Sequence, residues 1–88
     1  MSGKHLTDNE LLERIVVNSE IFGGKPIIRG YRMAVEHVLG MLAAGSTTEE
    51  LLDAYEWLEP EDIQACLLFA QRSVGNERVQ PRFIDVKL

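Results

Sequence analysis

The chain has 88 residues, of which 45% are apolar and 26% charged, and carries a formal net charge of −5. That length supports one core and one domain, with roughly 60% of the unfolded surface buried on folding, and the composition is globular rather than disordered. The acidic balance excludes indiscriminate attraction to nucleic acid or membrane phosphates, but not a local basic patch.

In chain order, Thr7-Asp8-Asn9-Glu10 has the pattern of a capping box, so a short helix with Leu11, Leu12 and Ile15 on its apolar side is expected. The β-branched run Ile15-Val16-Val17 favours extended structure before a turn at Asn18-Ser19. Pro26 lacks an amide donor and suits the start or edge of a strand through Ile27-Ile28, with a bend at Gly30. Val35, Val38, Leu39 and Leu42 then fall at helical spacing, and Gly45 is placed to end that helix in a left-handed conformation. Thr47 and Glu50 repeat the capping-box pattern before a helix that buries Leu51, Leu52 and Tyr55. Pro60 fits the first turn of a further helix whose apolar stripe reads Ile63, Cys66, Leu67, Ala70 and Val74, ending at Gly75-Asn76. In the tail, Ile84, Val86 and Leu88 alternate with Phe83, Asp85 and Lys87 as in a short strand.

The expected fold is mainly α: a small three- to four-helix bundle with a helix-turn-helix-like core and a short β element near the N-terminus. Residues 1–14 form an N-terminal helical segment, 15–75 the domain proper and 76–88 a C-terminal tail. No apolar stretch is long enough to span a bilayer, and Met1-Ser2-Gly3-Lys4-His5 lacks the apolar core of a secretion signal. A cytoplasmic protein is expected.

Charge is unevenly divided. Lys25, Arg29 and Arg32 lie within ten positions that hold no acid, whereas from Met33 to Gln71 every formally charged residue is acidic. Strand alternation puts Lys25 and Arg29 on one side, and the three cations are the candidates for contact with DNA or a protein partner. Gly23-Gly24-Lys25 is not a phosphate loop, because proline rather than Ser or Thr follows the lysine. Val35 to Tyr55 has the size of a helix-turn-helix. Its second helix opens on Thr48, Glu49 and Glu50, and such carboxylates are repelled by DNA phosphates. Glu49, Glu50, Asp53, Glu56, Glu59, Glu61 and Asp62 form an acidic set suited either to solvent or to a basic partner such as a nuclease groove. His5 and His37 belong to no metal-ligand spacing, and the single cysteine, Cys66, sits in an apolar run as a small buried hydrophobe would. No catalytic constellation is visible, so a non-enzymatic chain without cofactor or metal is expected.

Gly24-Lys25-Pro26-x-Ile28-Arg29-Gly30-x-Arg32, Val35-Glu36, Leu42-x-x-Gly45, Tyr55, Leu58 and Glu61-Asp62-Ile63-x-Ala65 together resemble the domain-of-unknown-function family 433. The resemblance runs from about Ile15 to Ala70. The family typically has Thr at the position of Tyr31 and Asp-Pro at Asn18-Ser19. It is grouped with VapB-like antitoxins of homeodomain-like fold, which implies the antitoxin of a type II toxin–antitoxin pair whose cognate toxin is a PIN-like nuclease. Binding of operator DNA is implied as a second activity. The tail supplies further candidates for toxin contact: Arg78 and Arg82 toward the acidic centre of such a nuclease, with Phe83, Ile84 and Val86 beside them. A homodimer is expected, since pairing would bury apolar strand or tail residues. The alternatives are a stand-alone helix-turn-helix DNA-binding regulator and a non-catalytic dimerisation module.

Overall fold

The computed structural model describes residues 6–76. Among these the chain is mainly helical, with four α-helices and one two-stranded antiparallel sheet. The order is α1 (Asp8–Leu12), β1 (Ile15–Val17), a 3-10 turn (Phe22–Gly24), β2 (Pro26–Ile28), α2 (Val35–Ala43), α3 (Thr48–Ala54) and α4 (Pro60–Asn76). The tail candidates Arg78, Arg82, Phe83, Ile84 and Val86 lie outside the described residues.

Local chemistry sets most boundaries. Thr7 and Glu10 form a reciprocal capping box at α1, as do Thr47 and Glu50 at α3. α2 ends in a Schellman motif: Gly45 takes φ 107°, its amide donates to Leu42, and the Ser46 amide donates to Met41. β1 and β2 pair with Ile15 opposite Ile28 and Val17 opposite Pro26, where the missing proline amide falls at the end of the ladder. After Ile28 the chain reverses through Arg29 and Gly30, both at positive φ (48° and 84°), and the Tyr31 amide closes the turn on the Ile28 carbonyl. Positive φ at both central residues is the signature of a type I′ turn.

The core joins β2, α2, α3 and α4, with the partly buried Ile15 of β1 packed against it. Ile28, Met33, Val35, Val38, Leu51, Leu58, Ile63 and Cys66 form one buried cluster. α4 is its spine, contacting α1, α2, α3 and β1. One expectation is corrected here, because Leu67 and Val74 are exposed and the buried stripe of α4 runs instead through Asp62, Ile63, Ala65 and Cys66. Leu67 stands one residue past Cys66, roughly 100° further round the helix, which turns it out of the buried face. Among the described residues no helix is long and apolar enough to cross a membrane.

Candidate functional site

The basic turn expected to face a partner divides in two. Arg29 leaves strand geometry at once, because its left-handed backbone follows directly on the end of β2. The alternation that would set it beside Lys25 therefore does not apply, and its side chain turns inward. Nε and Nη2 donate to Oδ1 and Oδ2 of Asp62 at 2.9 and 2.7 Å, a two-bond fork, and Nη2 also donates to the Trp57 carbonyl at 3.0 Å. The guanidinium lies 5.0 Å from the centre of the Tyr31 ring, which stacks on Trp57 at 4.1 Å with the planes 8° apart. Tyr31, at a position where the resembled family typically has Thr, thus helps to hold the turn against the loop between α3 and α4.

Asp62 is the centre of this cluster and is fully enclosed. It occupies the third helical position of α4, where Oδ2 accepts from the Glu59 amide at 2.9 Å, and Oδ1 also accepts from Arg14 Nη1 at 2.9 Å. Arg14 bonds Glu59 at 2.7 Å as well. The Arg29 amide donates to the Arg14 carbonyl at 2.7 Å, so the two arginines are backbone neighbours converging on one carboxylate. Among the described residues no buried side-chain nitrogen or oxygen lacks a partner, which is the condition for tolerating an enclosed charge. Burial alone pushes the Asp62 carboxyl up, but hydrogen bonds from Arg29, the Glu59 amide and Arg14 outweigh it and hold the group below its ordinary value of 3.8. The bond to Asp62 raises the Arg29 guanidinium, against the opposing effect of burial. Asp62 therefore does not belong to a solvated acidic face, and Glu59 is already engaged by Arg14.

Lys25 and Arg32 remain outside and line the same groove, an open depression of about 900 Å³ along α2. Lys25 is exposed and pairs with Glu36 at 2.9 Å, an exposed contact of small energetic weight. Arg32 is exposed and has no ion-pair partner among the described residues. The groove floor includes Met33, Met41 and Tyr55, with Phe22 at its lip. On α3 and just beyond it, Glu49, Glu50, Asp53 and Glu56 are exposed, and none is paired with a cation among the described residues.

Cys66 is enclosed, and its thiol is pushed up to about 12, by burial first and the Asp62 carboxylate second; at neutral pH it is a protonated hydrophobe. Among the described residues no group of three or more His, Cys, Asp or Glu side chains converges as for a metal ion. Sequence reasoning missed Arg14 and the Tyr31–Trp57 stack, and it placed Asp62 in the acidic set without its burial or its pairing with arginine. The available signal was Asp62 itself, four residues before Cys66 on the apolar side of α4, where an acid requires a cation.

A family model described as "Protein of unknown function (DUF433)" matches residues 15–70. An uncharacterized protein of Sinorhizobium fredii, y4eO, is 34% identical over 81 residues, covering 89% of this chain and 37% of the relative. The chain thus spans little more than a third of that relative's length. No solved structure gives a significant match. The matched segment contains β1, the basic turn, the three longer helices up to Ala70 and the Arg29–Asp62 pair, and on that match the chain belongs to the DUF433 family.

Proposed function

We propose that this protein is a VapB-like antitoxin, a non-catalytic chain that binds and neutralises a PIN-like ribonuclease. The observation that supports the reading best is the exposed carboxylate face of Glu49, Glu50, Asp53 and Glu56, unpaired with any cation among the described residues. A ribonuclease holds its substrate in a basic groove, and a fixed acidic face is complementary to such a groove in sign. The tail residues Arg78, Arg82, Phe83, Ile84 and Val86 complete the proposed contact. α2, the Gly45 turn and α3 serve as the homeodomain-like, helix-turn-helix-like core that carries the acidic face.

The same pair of helices supports a weaker second reading, binding of operator DNA. The opening residues of α3 are Thr48, Glu49 and Glu50, which phosphates repel, and with Arg29 committed to Asp62 only Lys25 and Arg32 of the basic turn remain available.

Co-expression with the product of an adjacent gene tests the proposal. The neighbour alone is expected to arrest growth, the pair to restore it, and the two proteins to purify together; a chain ending at Asn76 is expected to restore growth less well. Absence of both rescue and a complex overturns the reading. In that case, mobility shift of operator duplex with affinity falling steeply as salt rises would identify a DNA-binding protein instead.

A further inference from the structure

Gly40 stands in the middle of α2, where glycine is a poorer helix former than alanine. Nothing in its own chain asks for the missing side chain: its φ is not in the left-handed region, and a Cβ placed there meets no atom within 4 Å. Ala44 lies four residues on, and the two small residues share the groove with Met33, Met41 and Tyr55. At the lip of that groove Phe22 is 47% exposed and has φ 51°, a left-handed conformation that bulky residues rarely adopt. Such strain persists where the surroundings impose it, and here it holds an aromatic ring at the edge of an apolar depression instead of in the core.

The charges at the rim select the occupant. Arg32 has no ion-pair partner among the described residues, while Glu36 accepts from Lys25 Nζ at Oε2 and leaves Oε1 unengaged. A phosphate backbone or an acidic peptide would gain Arg32 but meet the Glu36 carboxylate. A patch carrying both signs is instead complementary to itself about a two-fold axis, as an isologous contact requires.

We propose that this groove seats a second copy of the same chain. Phe22 of each protomer packs over Gly40 and Ala44 of the other, and Arg32 bonds the partner's Glu36. The missing side chain at position 40 then lets the two surfaces approach, and the methionines adapt to the inserted ring.

Sedimentation velocity of the full chain over a concentration series tests this without any other protein, so its outcome is independent of the proposed toxin. A monomer–dimer equilibrium is expected. Gly40→Gln should weaken the dimer at least about tenfold without lowering the thermal midpoint of the dilute monomer, because glutamine is the better helix former and its Cβ is unobstructed. Arg32→Glu and Glu36→Arg should each weaken it, and the double variant should restore it. A chain that stays monomeric at millimolar concentration overturns the proposal. So does a dimer indifferent to Gly40→Gln and to the charge exchange, or one occupied only by added acidic peptide or duplex DNA.

Discussion

Arg29→Ala is expected to lower folding stability by about 3 kcal/mol, the lower end of the range for removing one partner of a buried ion pair. The variant leaves the Asp62 carboxylate enclosed with two of its four hydrogen bonds gone, while Arg14 and the Glu59 amide keep the others. The surviving Arg14 contact is what places the cost at the low end. The change also removes the bond to the Trp57 carbonyl and the contact with the Tyr31 ring, so the turn loses its tie to the start of α4. Urea unfolding measures the loss, with Arg32→Ala as the control. Arg32 is exposed and has no ion-pair partner among the described residues, and its removal should change stability by no more than about 0.5 kcal/mol. Equal stability of the two variants would mean that Arg29 is presented outward like Arg32.

Acid should dismantle the same cluster. The folded-state pKa of Asp62 lies below the ordinary value of 3.8, so the unfolded chain takes up the proton first as pH falls. The stability contributed by the charged carboxylate is therefore fully present above about 3.8 and is lost as pH falls through the lower folded-state value. Asp62→Asn has no such proton to gain. It keeps an oxygen for the Glu59 amide but loses the charge that Arg29 and Arg14 require. The stability gap between wild type and Asp62→Asn is expected to be wide at neutral pH and to narrow below 3.8, as read from urea midpoints over a pH series. A gap that stays constant over that range would show that the Asp62 charge does not hold the arginines.

What was legible in the sequence is what short-range chemistry decides. Thr7 with Glu10, Thr47 with Glu50, Gly45 and Pro60 each act within a few residues of themselves, and the helix boundaries at those positions follow. The strand pair was legible for the same reason, through β-branched Ile15 to Val17 and through Pro26. The Arg29–Asp62 and Arg14–Asp62 bonds join residues 33 and 48 positions apart, and no local pattern encodes such distances. Period-two alternation failed at Arg29 because the chain leaves β2 at Ile28 and enters a turn with positive φ. The stripe drawn on α4 had the right spacing but was rotated. Leu67 and Val74 are apolar enough to belong to it, and the buried face centres instead on Asp62 and Cys66. Hydrophobicity alone could not fix that rotation, since the residue at its centre is a carboxylate.

The cluster reassigns the charges that face outward. One cation of the basic turn and one carboxylate of the acidic set cancel inside the fold, which leaves Glu49, Glu50, Asp53 and Glu56 as an exposed acidic face beside a groove with a mixed rim. The most direct measurement of the proposed antitoxin role is the affinity of the purified chain for the product of an adjacent gene, followed over a salt series. Wild type is compared with the triple variant Glu49→Gln, Glu50→Gln, Asp53→Asn, in which glutamine at position 50 retains the capping box. Wild-type affinity should fall as salt rises, and the triple variant should bind at least about tenfold more weakly with a flatter salt dependence. Coincident curves for the two proteins would contradict the assignment of recognition to this acidic face.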